Sequence, residues 1–399
     1  MINIAVLGYG TVGSGVVEVI NTNHSSINKR AGKEINIKYV LDLREFPGDP
    51  VQDILVHDYN IILNDPEVEI VVEVMGGINP AYGFVKSALE AGKSVCTSNK
   101  ELVAAHGAEL LQIAKEKSVN FLFEASVGGG IPIIRPINQS LTADEITEIT
   151  GILNGTTNYI LSKMTDEGLD FDVVLAEAQE LGYAERNPEA DIEGYDACRK
   201  IAILTSLAYG KQVDFEDIYT EGITKITKTD ISYAKKLGLS IKLLGMSRMT
   251  DGTVYSMVAP FMIGRDHPLV NVNGVFNGIF INGNVLGDTM FYGSGAGKLP
   301  TASAVVADVV DAAKHQGTNI MTIWEPEKRV LGNMDSFRSG FFVRVKNDKS
   351  DVERVFGDVS FVELDGASGE TAFVTGEMSQ KEFNDKQEQL EVISRIRIA

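Results

Sequence analysis

The sequence predicts an α/β protein that begins with a parallel, doubly wound sheet. An apolar strand-like run at residues 2–7 leads directly into a glycine-rich turn, and a helical pattern follows that turn. Further strand-like runs alternate with helical stretches, which is typical of strands joined in parallel through crossover helices. The later strands are predicted at 35–41, 70–75, 94–97 and 119–124, and the helices between them at 80–91 and 105–117. This first domain is expected to span residues 1–125.

Composition restricts the classes of function. The chain has 399 residues and a formal net charge of -19, so we expect more than one domain and no binding to nucleic acid or anionic membranes. Its only cysteines, Cys96 and Cys198, cannot build a disulfide framework or a thiolate metal site. The N-terminus enters a strand without a signal-peptide pattern, and no run is long enough to span a bilayer. These features predict a cytoplasmic protein.

The turn after the first strand has the spacing of a dinucleotide-binding loop. Gly8, Gly10 and Gly13 form a GxGxxG pattern between a strand and a helix, as in a Rossmann-type domain. Gly8 permits a tight turn, Gly10 lets a pyrophosphate approach the backbone, and Gly13 lets the helix pack on the sheet. The N–H groups and the positive dipole end of the helix would then hold the phosphates. The alternative is a glycine-rich turn with a structural role alone.

The second predicted strand ends at two residues that bear on the choice of cofactor. Asp42 stands where an acidic residue binds the ribose 2′-hydroxyl of NAD, and Arg44 is close enough to favour the 2′-phosphate of NADP. Because both are present, the sequence leaves the choice between NAD and NADP open.

Small and polar segments follow two later strands. Gly76 and Gly77 follow one strand, and residues 97–100, TSNK, follow the next. Ligands of doubly wound sheets bind beyond the carboxyl ends of the strands, so Lys100 is expected near the nicotinamide end of a bound cofactor. A surface lysine without a role is the alternative.

Two more segments are rich in possible ligands. Glu124 begins a loop with three successive glycines, 128–130, whose carbonyl oxygens suit a hard cation, although a plain domain hinge has the same pattern. Asn154, Thr156 and Thr157 could cap the helix that follows or face a polar substrate pocket, and the sequence does not decide between these roles.

The stretch 181–210 combines an acidic loop with a helix that carries a lysine. From Tyr195 the helical pattern is continuous, and it places Asp196 and Lys200 on one stripe with aliphatic residues. Burying an ammonium is costly unless it is paired, so we expect these two side chains to pair. The preceding loop supplies the carboxylates of Glu185, Glu189, Asp191 and Glu193. An ordinary salt bridge beside a solvated acidic turn is the alternative.

The rest of the chain is predicted to form a second domain and a tail. Residues 126–300 are expected to be an α+β substrate and dimerisation domain with a mostly antiparallel sheet. A helix at about 300–320 is expected to return to the first domain, and its glycine-rich start offers further backbone donors to the cofactor. The strand and helix pattern of residues 336–399 predicts a small α+β module. The apolar segments of the second domain lie at 254–258, 275–281 and 284–290.

Several of these segments together resemble the homoserine dehydrogenase family. They are the glycine loop, the TSNK segment, the loop after Glu124, the NGTT segment at 154–157 and the stretch 181–200. The resemblance covers residues 1–320. It implies NAD(P)-dependent interconversion of L-homoserine and L-aspartate 4-semialdehyde, on the route to threonine and methionine, by a homodimer or homotetramer. The tail resembles the ACT effector-binding module without its proline-glycine loop, so binding of an effector such as threonine and a role in dimer formation stay open.

The same resemblance implies a role for each candidate site residue. Lys200 would be the catalytic acid and base, and Lys100 a second essential lysine that contacts cofactor and substrate. The substrate would also contact Glu185, Asp191 and Asp196. The implied cofactor contacts are Gly8, Gly10, Thr11, Val12, Gly13, Ser98, Lys100 and Gly297. A sodium-like ion would be held by Glu124 and the carbonyls of Val127, Gly129 and Ile131.

Two rival functions use the same residues differently. A non-catalytic dinucleotide-binding sensor would need Lys200 and Asp196 only as a structural ion pair. A semialdehyde dehydrogenase would need a cysteine nucleophile, and Cys198 lies within the stretch. However, Cys198 is about 200° around the helix from Asp196, so we predict that it packs away from the pocket.

Overall fold

The computed structural model of the chain describes residues 1–399. The helices are α1 (Thr11–Thr22), α2 (His24–Ala31), α3 (Tyr59–Leu63), α4 (Ala81–Glu90), α5 (Lys100–Glu116), α6 (Gly155–Glu167), α7 (Phe171–Glu180), α8 (Glu189–Ile192), α9 (Tyr195–Tyr209), α10 (Lys228–Leu237), α11 (Lys298–Lys314), α12 (Lys349–Phe356) and α13 (Gln380–Gln387). The strands are β1 (Ile2–Leu7), β2 (Ile35–Leu41), β3 (Leu55–Val56), β4 (Val68–Glu73), β5 (Ser94–Thr97), β6 (Phe121–Leu122), β7 (Ile146–Ile152), β8 (Lys211–Gln212), β9 (Tyr219–Thr220), β10 (Ser240–Thr250), β11 (Thr253–Ile263), β12 (Phe276–Gly283), β13 (Gly287–Ser294), β14 (Glu325–Lys328), β15 (Arg338–Val345), β16 (Val359–Val362), β17 (Thr371–Thr375), β18 (Met378–Ser379) and β19 (Val392–Ile398). None of the helices is both long enough and apolar enough to cross a lipid bilayer.

The chain folds into two compact units. Unit 1 comprises Met1–Asp144, Ala202–Asp214 and Gly293–Arg329, and unit 2 comprises Glu145–Ile201, Phe215–Tyr292 and Val330–Ala399. These boundaries differ from the predicted ones at 125 and 300. One reason is that β8 pairs with β14, which keeps residues 202–214 in unit 1.

Unit 1 is built on a parallel sheet. Its six strands run in the order β3-β2-β1-β4-β5-β6, and every neighbouring pair is parallel. From β1 the chain adds β2 and β3 on one side of the sheet, and it then returns to add β4, β5 and β6 on the other side. The position between β1 and β4 is therefore the switch point, where doubly wound sheets bind their ligands. The predicted Rossmann-type fold is confirmed, and its ligand crevice lies beyond the carboxyl ends of β1 and β4.

Burial explains why these segments become strands. β1 and β4 are rich in valine and isoleucine, and almost every residue in them is buried. Branched side chains pack well on both faces of a covered parallel sheet, so such strands are continuous apolar runs. Helix α11 completes this core, to which it contributes Ala302, Val305, Val306 and Val309.

Unit 2 contains a larger, mixed sheet of eleven strands. The main path is β13-β12-β7-β10-β11-β19-β15-β17-β16, while β9 and β18 pair with β11 and β15. At its centre β10 and β11 are antiparallel along their whole length and meet at a two-residue turn, Asp251 and Gly252, with φ of 50° and 79°. Such positive φ values suit the tight turn of a hairpin. The predicted antiparallel sheet is confirmed for β7, β10, β11 and β12.

The tail follows a βαββαβ order and shares the sheet of unit 2. Its elements are β15, α12, β16, β17, α13 and β19, with the two-residue β18 between β17 and α13, and its longer strands lie in the order β16-β17-β15-β19. β19 also pairs in parallel with β11, through Phe261 with Arg397 and Met262 with Ile398. Residues 336–399 therefore do not separate from unit 2 as a compact unit of their own.

Three of the differences from the sequence prediction have a clear local cause. Helix α12 was not predicted, although Asp348 caps it and its buried Val352 and Phe356 stand four residues apart. Helix α5 begins five residues earlier than predicted, because the Asn99 side chain caps it. Strand β6 covers only Phe121–Leu122, because the chain turns at residue 124.

A buried ion-pair network joins the tail to α10 within unit 2. The Arg344 guanidinium donates to Asp230 Oδ1 at 2.9 Å and to the two oxygens of Glu370 at 3.0 and 2.7 Å. The side chains of Arg344, Asp230 and Glu370 are only 7%, 0% and 10% exposed. One guanidinium is thus shared by two carboxylates that are largely shielded from water.

Arg344→Met should destabilise unit 2 strongly. The substitution leaves two buried carboxylates without their counter-ion, and breaking such a pair costs about 3–5 kcal/mol. Lys346→Met is a matched control, because it removes the exposed Lys346–Glu391 pair from the same tail and should change stability far less. Urea unfolding of both variants measures the difference, and equal losses would contradict the expectation.

Candidate active site

The ligand crevice of unit 1 begins at the glycine loop between β1 and α1. Gly10 is the N-cap of α1, no side chain caps that helix, and its first turn has no acidic residue. A Cβ added to Gly10 would have no atom within 4 Å, so the backbone faces open space there. Uncapped N–H groups beside open space suit the pyrophosphate of a dinucleotide.

Close packing explains the other end of this loop. A Cβ on Gly13 would lie 1.9 Å from the carbonyl oxygen of Gly8, so only glycine fits. Nearby, a Cβ on Gly15 would lie 2.8 Å from the carbonyl oxygen of Lys298, the first residue of α11. The start of α11, capped by Gly297, therefore lies against the first turns of α1.

Asp42 holds the glycine loop from the end of β2. Its Oδ2 accepts the N–H of Tyr9 at 2.8 Å, and its two oxygens accept hydrogen bonds from the Arg44 guanidinium at 2.9 Å each. The hydrogen bond from Arg44 keeps the pKa of Asp42 well below its usual range. Arg44 is 61% exposed, and its Nη1 makes no hydrogen bond within the chain. Both residues that bear on cofactor choice thus lie beside the loop.

A buried carboxylate joins the ends of β4 and β5. Glu73 Oε1 accepts the N–H groups of Met75 at 2.8 Å and Gly76 at 3.3 Å. Its Oε2 accepts the hydroxyl of Thr97 at 2.6 Å. The carboxylate therefore ties the loop after β4 to the end of β5.

Lys100 stands next in this arrangement, as the first residue of α5. Asn99 donates its N–H to the Thr97 hydroxyl and its side-chain amide to the carbonyl of Gly77 at 2.6 Å, and its side-chain oxygen caps α5. Ser98 and Lys100 are both half-buried at this carboxyl edge of the sheet. Lys100 thus lies where the sequence predicted it, at the edge of the sheet where ligands of such folds bind.

Glu124 is buried just beyond β6 and receives three backbone hydrogen bonds. Its Oε1 accepts the N–H groups of Ile133 at 2.5 Å and Ile134 at 2.8 Å, and its Oε2 accepts that of Arg135 at 2.8 Å. The chain beyond the three glycines therefore folds back onto this carboxylate.

The loop between Glu124 and these donors presents unused carbonyl oxygens. Those of Val127, Gly129 and Ile131 accept no hydrogen bond within the chain, although all three residues are buried. A Cβ on Gly129 would lie 2.2 Å from the carbonyl of Gly295, so the loop packs tightly on the segment before α11. No group of three or more His, Cys, Asp or Glu side chains could hold a metal ion. An ion at this loop would need these carbonyls and one carboxylate, a set that suits a hard monovalent cation.

In unit 2, Lys200 is buried in a polar cluster at the start of α6. Its ammonium donates to Asp196 Oδ2 and to the carbonyl of Leu153, each at 2.7 Å. Both side chains of the ion pair are almost inaccessible, at 10% and 6% exposure. The predicted pairing along α9 is present, and the pair is buried rather than exposed.

Asn154 caps α6, one of the two roles that the sequence left open, and it also belongs to the polar cluster. Its side-chain oxygen accepts the N–H of Thr157 at 2.9 Å and so caps α6. Its amide nitrogen donates to Asp191 Oδ1 at 2.7 Å and to Asp196 Oδ2 at 2.9 Å. One side chain thus positions the helix and brings two carboxylates together.

The structure does not join Glu185 to this cluster. Its carboxylate is exposed and makes no hydrogen bond or ion pair within the chain. The turn that carries it is nevertheless anchored, because the Thr156 hydroxyl donates to the carbonyl of Tyr183 at 2.6 Å.

Cys198 bonds away from the cluster, as its position on the helix predicted. Its thiol donates to the carbonyl of Phe215 at 3.2 Å, and burial raises its pKa. A thiol that is protonated and packed in this way is a poor nucleophile.

The sequence prediction did not include Glu73, Thr97 and Asn99 among the site residues. A signal was present, because Glu73 ends an otherwise apolar strand and precedes two glycines. A carboxylate in a fully buried strand needs hydrogen-bond donors, and the nearest ones belong to the strand-end loops.

The crevice of unit 1 and the lysine–carboxylate cluster of unit 2 define a dinucleotide-dependent oxidoreductase of the α/β class. Two family models match, homoserine dehydrogenase over residues 132–310 and the homoserine dehydrogenase NAD binding domain over residues 8–124. Homoserine dehydrogenase from Synechocystis sp. is 47% identical over 78% of this chain and 73% of its own length. The chain belongs to the homoserine dehydrogenase family.

Solved structures agree with this assignment. The homoserine dehydrogenase from Thiobacillus denitrificans has a TM-score of 0.92 and 36% identity, and the match covers 100% of this chain and 98% of that one. A mutant hyperthermophilic archaeal homoserine dehydrogenase in complex with NADPH has a TM-score of 0.66 and 29% identity, over 78% of this chain and 97% of that one.

Asn154→Asp should destabilise unit 2 although the helix cap is kept. The change replaces two charge-assisted hydrogen bonds with repulsion among three carboxylates, which should lower the free energy of unfolding by about 2–4 kcal/mol. Asn333→Asp is the control, because Asn333 also caps a turn but is exposed. Thermal unfolding of the two variants checks the expectation, and an Asn154→Asp protein as stable as the control would refute it.

Proposed function

We propose that this protein catalyses the NAD(P)-dependent interconversion of L-homoserine and L-aspartate 4-semialdehyde in threonine and methionine biosynthesis. The observation that carries the proposal is the buried Lys200 ammonium, which uses only two of its three N–H groups within the chain. Replacing a buried ion pair with apolar groups is often neutral or stabilising, so a pair with one donor left over favours a functional role. Family membership supports the substrate class.

Lys200 is the proposed acid and base at the substrate oxygen. In the reducing direction its ammonium donates a proton to the aldehyde oxygen, and in the oxidising direction the neutral amine accepts the hydroxyl proton. The nicotinamide, when bound, supplies the hydride acceptor or donor. Asp196 and the Leu153 carbonyl orient the amine, so that its remaining N–H is available to the substrate.

The ammonium group of the substrate is proposed to bind the acidic side of the same cluster. Lys200, Asp191 and Asp196 contribute one positive and two negative charges, a net charge of -1 that favours a cationic group. Glu185, exposed on the neighbouring turn, is the proposed third carboxylate. A carboxylate that binds an ammonium forms a charge-assisted hydrogen bond.

The cofactor is proposed to bind at the switch point of unit 1. The open space at Gly10 and the uncapped start of α1 support this, as does the NADPH complex of the archaeal relative. Lys100 is the proposed second lysine, which contacts cofactor and substrate. The further proposed contacts are Gly8, Gly10, Thr11, Val12, Gly13, Ser98 and Gly297.

A monovalent cation such as sodium is proposed to bind the loop after β6. Its ligands would be Glu124 and the carbonyls of Val127, Gly129 and Ile131, and these three carbonyls accept no hydrogen bond within the chain. The ion would offset the charge of Glu124 and hold the loop in its folded form.

The tail is proposed to be an ACT-like module, and the protein a homo-oligomer. The βαββαβ order of residues 336–399 supports the first proposal. Apolar residues exposed on one hairpin, Phe276 on β12 with Met290 and Tyr292 on β13, support the second.

Lys200→Ala should abolish most turnover without loss of cofactor binding. Removing a general acid and base lowers kcat by about 10²-fold or more, while Kd for the reduced cofactor should change by less than about twofold. Arg199→Ala is the matched control, because the neighbouring Arg199 lies over the Phe215 ring. Reduced-cofactor absorbance with L-homoserine as substrate gives the rates. Wild-type turnover in Lys200→Ala would remove the assignment, and a wild-type chain inactive toward L-homoserine would favour the sensor function.

Arg44→Met should selectively weaken the use of NADP. If the exposed Arg44 guanidinium contacts the 2′-phosphate, the ratio of kcat/KM for NADP to that for NAD should fall about tenfold or more. Initial rates with both cofactors measure the ratio, with Lys38→Met as a control that removes a positive charge within β2 itself. An equal decrease in kcat/KM for both cofactors would show that Arg44 only holds Asp42 in place and does not contact the 2′-phosphate.

A further inference from the structure

We propose that Glu73 is a positioning residue: its carboxylate fixes the two loops that border the nicotinamide end of the crevice and thereby sets the position of Lys100. The inference rests on the proposed function of that crevice and of Lys100. In this proposal Thr97 and Asn99 link the carboxylate of Glu73 to Lys100 through their hydrogen bonds. All of these residues belong to unit 1.

Glu73 occupies the point where three strand ends lie side by side. It is the last residue of β4, and the register pairs it with Leu7 at the end of β1 and with Thr97 at the end of β5. Its relative exposure is 0%, as is that of Thr97. The carboxylate therefore lies at the base of the switch-point crevice, where ligands of doubly wound sheets bind.

The first loop wraps around one oxygen of this carboxylate. Met75 and Gly76 both donate their N–H groups to Oε1, while Gly76 and Gly77 take the left-handed conformation, with φ of 82° and 71°. The loop also packs on the dinucleotide turn, since a Cβ on Gly8 would lie 3.0 Å from Met75 Cγ. A shift of this carboxylate would therefore move a loop that lies against the glycine turn.

The second loop depends on the other oxygen. Thr97 donates its hydroxyl to Oε2 at 2.6 Å and accepts the N–H of Asn99 at 2.9 Å. Asn99 then caps α5 and also donates to the carbonyl of Gly77 at 2.6 Å, so the two loops are joined twice. Lys100 follows directly, as the first residue of α5, and cannot move independently of this ring of hydrogen bonds.

The directions of the hydrogen bonds require an ionised carboxylate. Glu73 only accepts, and a protonated acid that donated to Thr97 would leave the Thr97 hydroxyl hydrogen without an acceptor. Burial raises the pKa of Glu73, and the surrounding hydroxyl and N–H donors act in the opposite sense. An apolar residue would suit the core of this strand better, so the carboxylate is explained by the loops that it organises.

Three substitutions test the proposal. Glu73→Gln keeps the shape but turns one acceptor into a donor, Thr97→Val removes the hydroxyl, and Thr97→Ser restores it. Glu69→Gln is the matched control, because Glu69 lies near the other end of the same strand. Each full-length variant is titrated with NADPH by fluorescence, its kcat and KM for L-homoserine are measured, and its thermal unfolding is recorded.

Glu73→Gln and Thr97→Val should bind NADPH about tenfold more weakly and lose about tenfold or more in kcat, with a smaller change in KM for L-homoserine. Thr97→Ser and Glu69→Gln should stay within about twofold of the wild type in both measurements. Wild-type binding and turnover in a folded Glu73→Gln protein would overturn the proposal. So would equal losses in Thr97→Val and Thr97→Ser, because these would indicate packing alone.

The design separates this proposal from the proposed function. If Glu73→Gln does not fold, the comparison of Thr97→Val with Thr97→Ser still decides the matter. If the wild-type chain binds NADPH but does not oxidise L-homoserine, the proposed function fails, while the titrations still test the role of Glu73.

Discussion

An ionised carboxylate taken out of water must receive hydrogen bonds at its oxygens, and this constraint organises the molecule. Asp42, Glu73 and Glu124 each stand at or just beyond the end of a strand in the parallel sheet, and each receives backbone N–H groups from a neighbouring loop. Asp196 likewise accepts hydrogen bonds from the side chains of Lys200 and Asn154. Because each carboxylate determines where its donors lie, a few buried charges hold in place loops that would otherwise be mobile.

Two of the buried cations of unit 2, Arg344 and Lys200, differ in how fully the chain uses their hydrogen-bond donors. Arg344 uses Nε, Nη1 and Nη2 in hydrogen bonds to the side chains around it. Lys200 uses two of its three N–H groups in hydrogen bonds within the chain. Both pairs neutralise carboxylates, so burial alone does not distinguish them. The number of donors in use does, and the acid–base role proposed for Lys200 depends on its remaining N–H group.

Sequence patterns predicted the elements whose formation depends on local burial. The valine-rich strands, the glycine loop and the continuous pattern of α9 were all visible, because branched residues, glycine spacing and helical periodicity act within a few residues. The sequence also placed Asp196 and Lys200 on one stripe, since they are one helical turn apart. Helix α12 was missed because its charged residues hide a short apolar stripe of only two buried side chains.

Contacts between distant segments could not be predicted in the same way. Asn154 meets Asp196 across 42 residues of sequence, and Thr97 meets Glu73 across 24. The local sequence around each residue does not indicate which distant residue it will contact, because only the folded chain brings the two together. The sequence could show that Glu73 was unusual for its strand, and that Asn154 was either a cap or a ligand. That Asn154 is a cap and also holds two carboxylates follows only from the fold, which brings Asp191 and Asp196 to the start of α6.

The position of β19 has a consequence for shortened forms of the chain. This strand lies between β11 and β15, parallel to one and antiparallel to the other. Its removal would uncover two rows of unpaired N–H and C=O groups in the middle of a wide sheet. Exposed rows of this kind pair readily with other chains. A truncated protein would therefore be prone to aggregate, which makes the final strand a safeguard of solubility as well as a part of the tail.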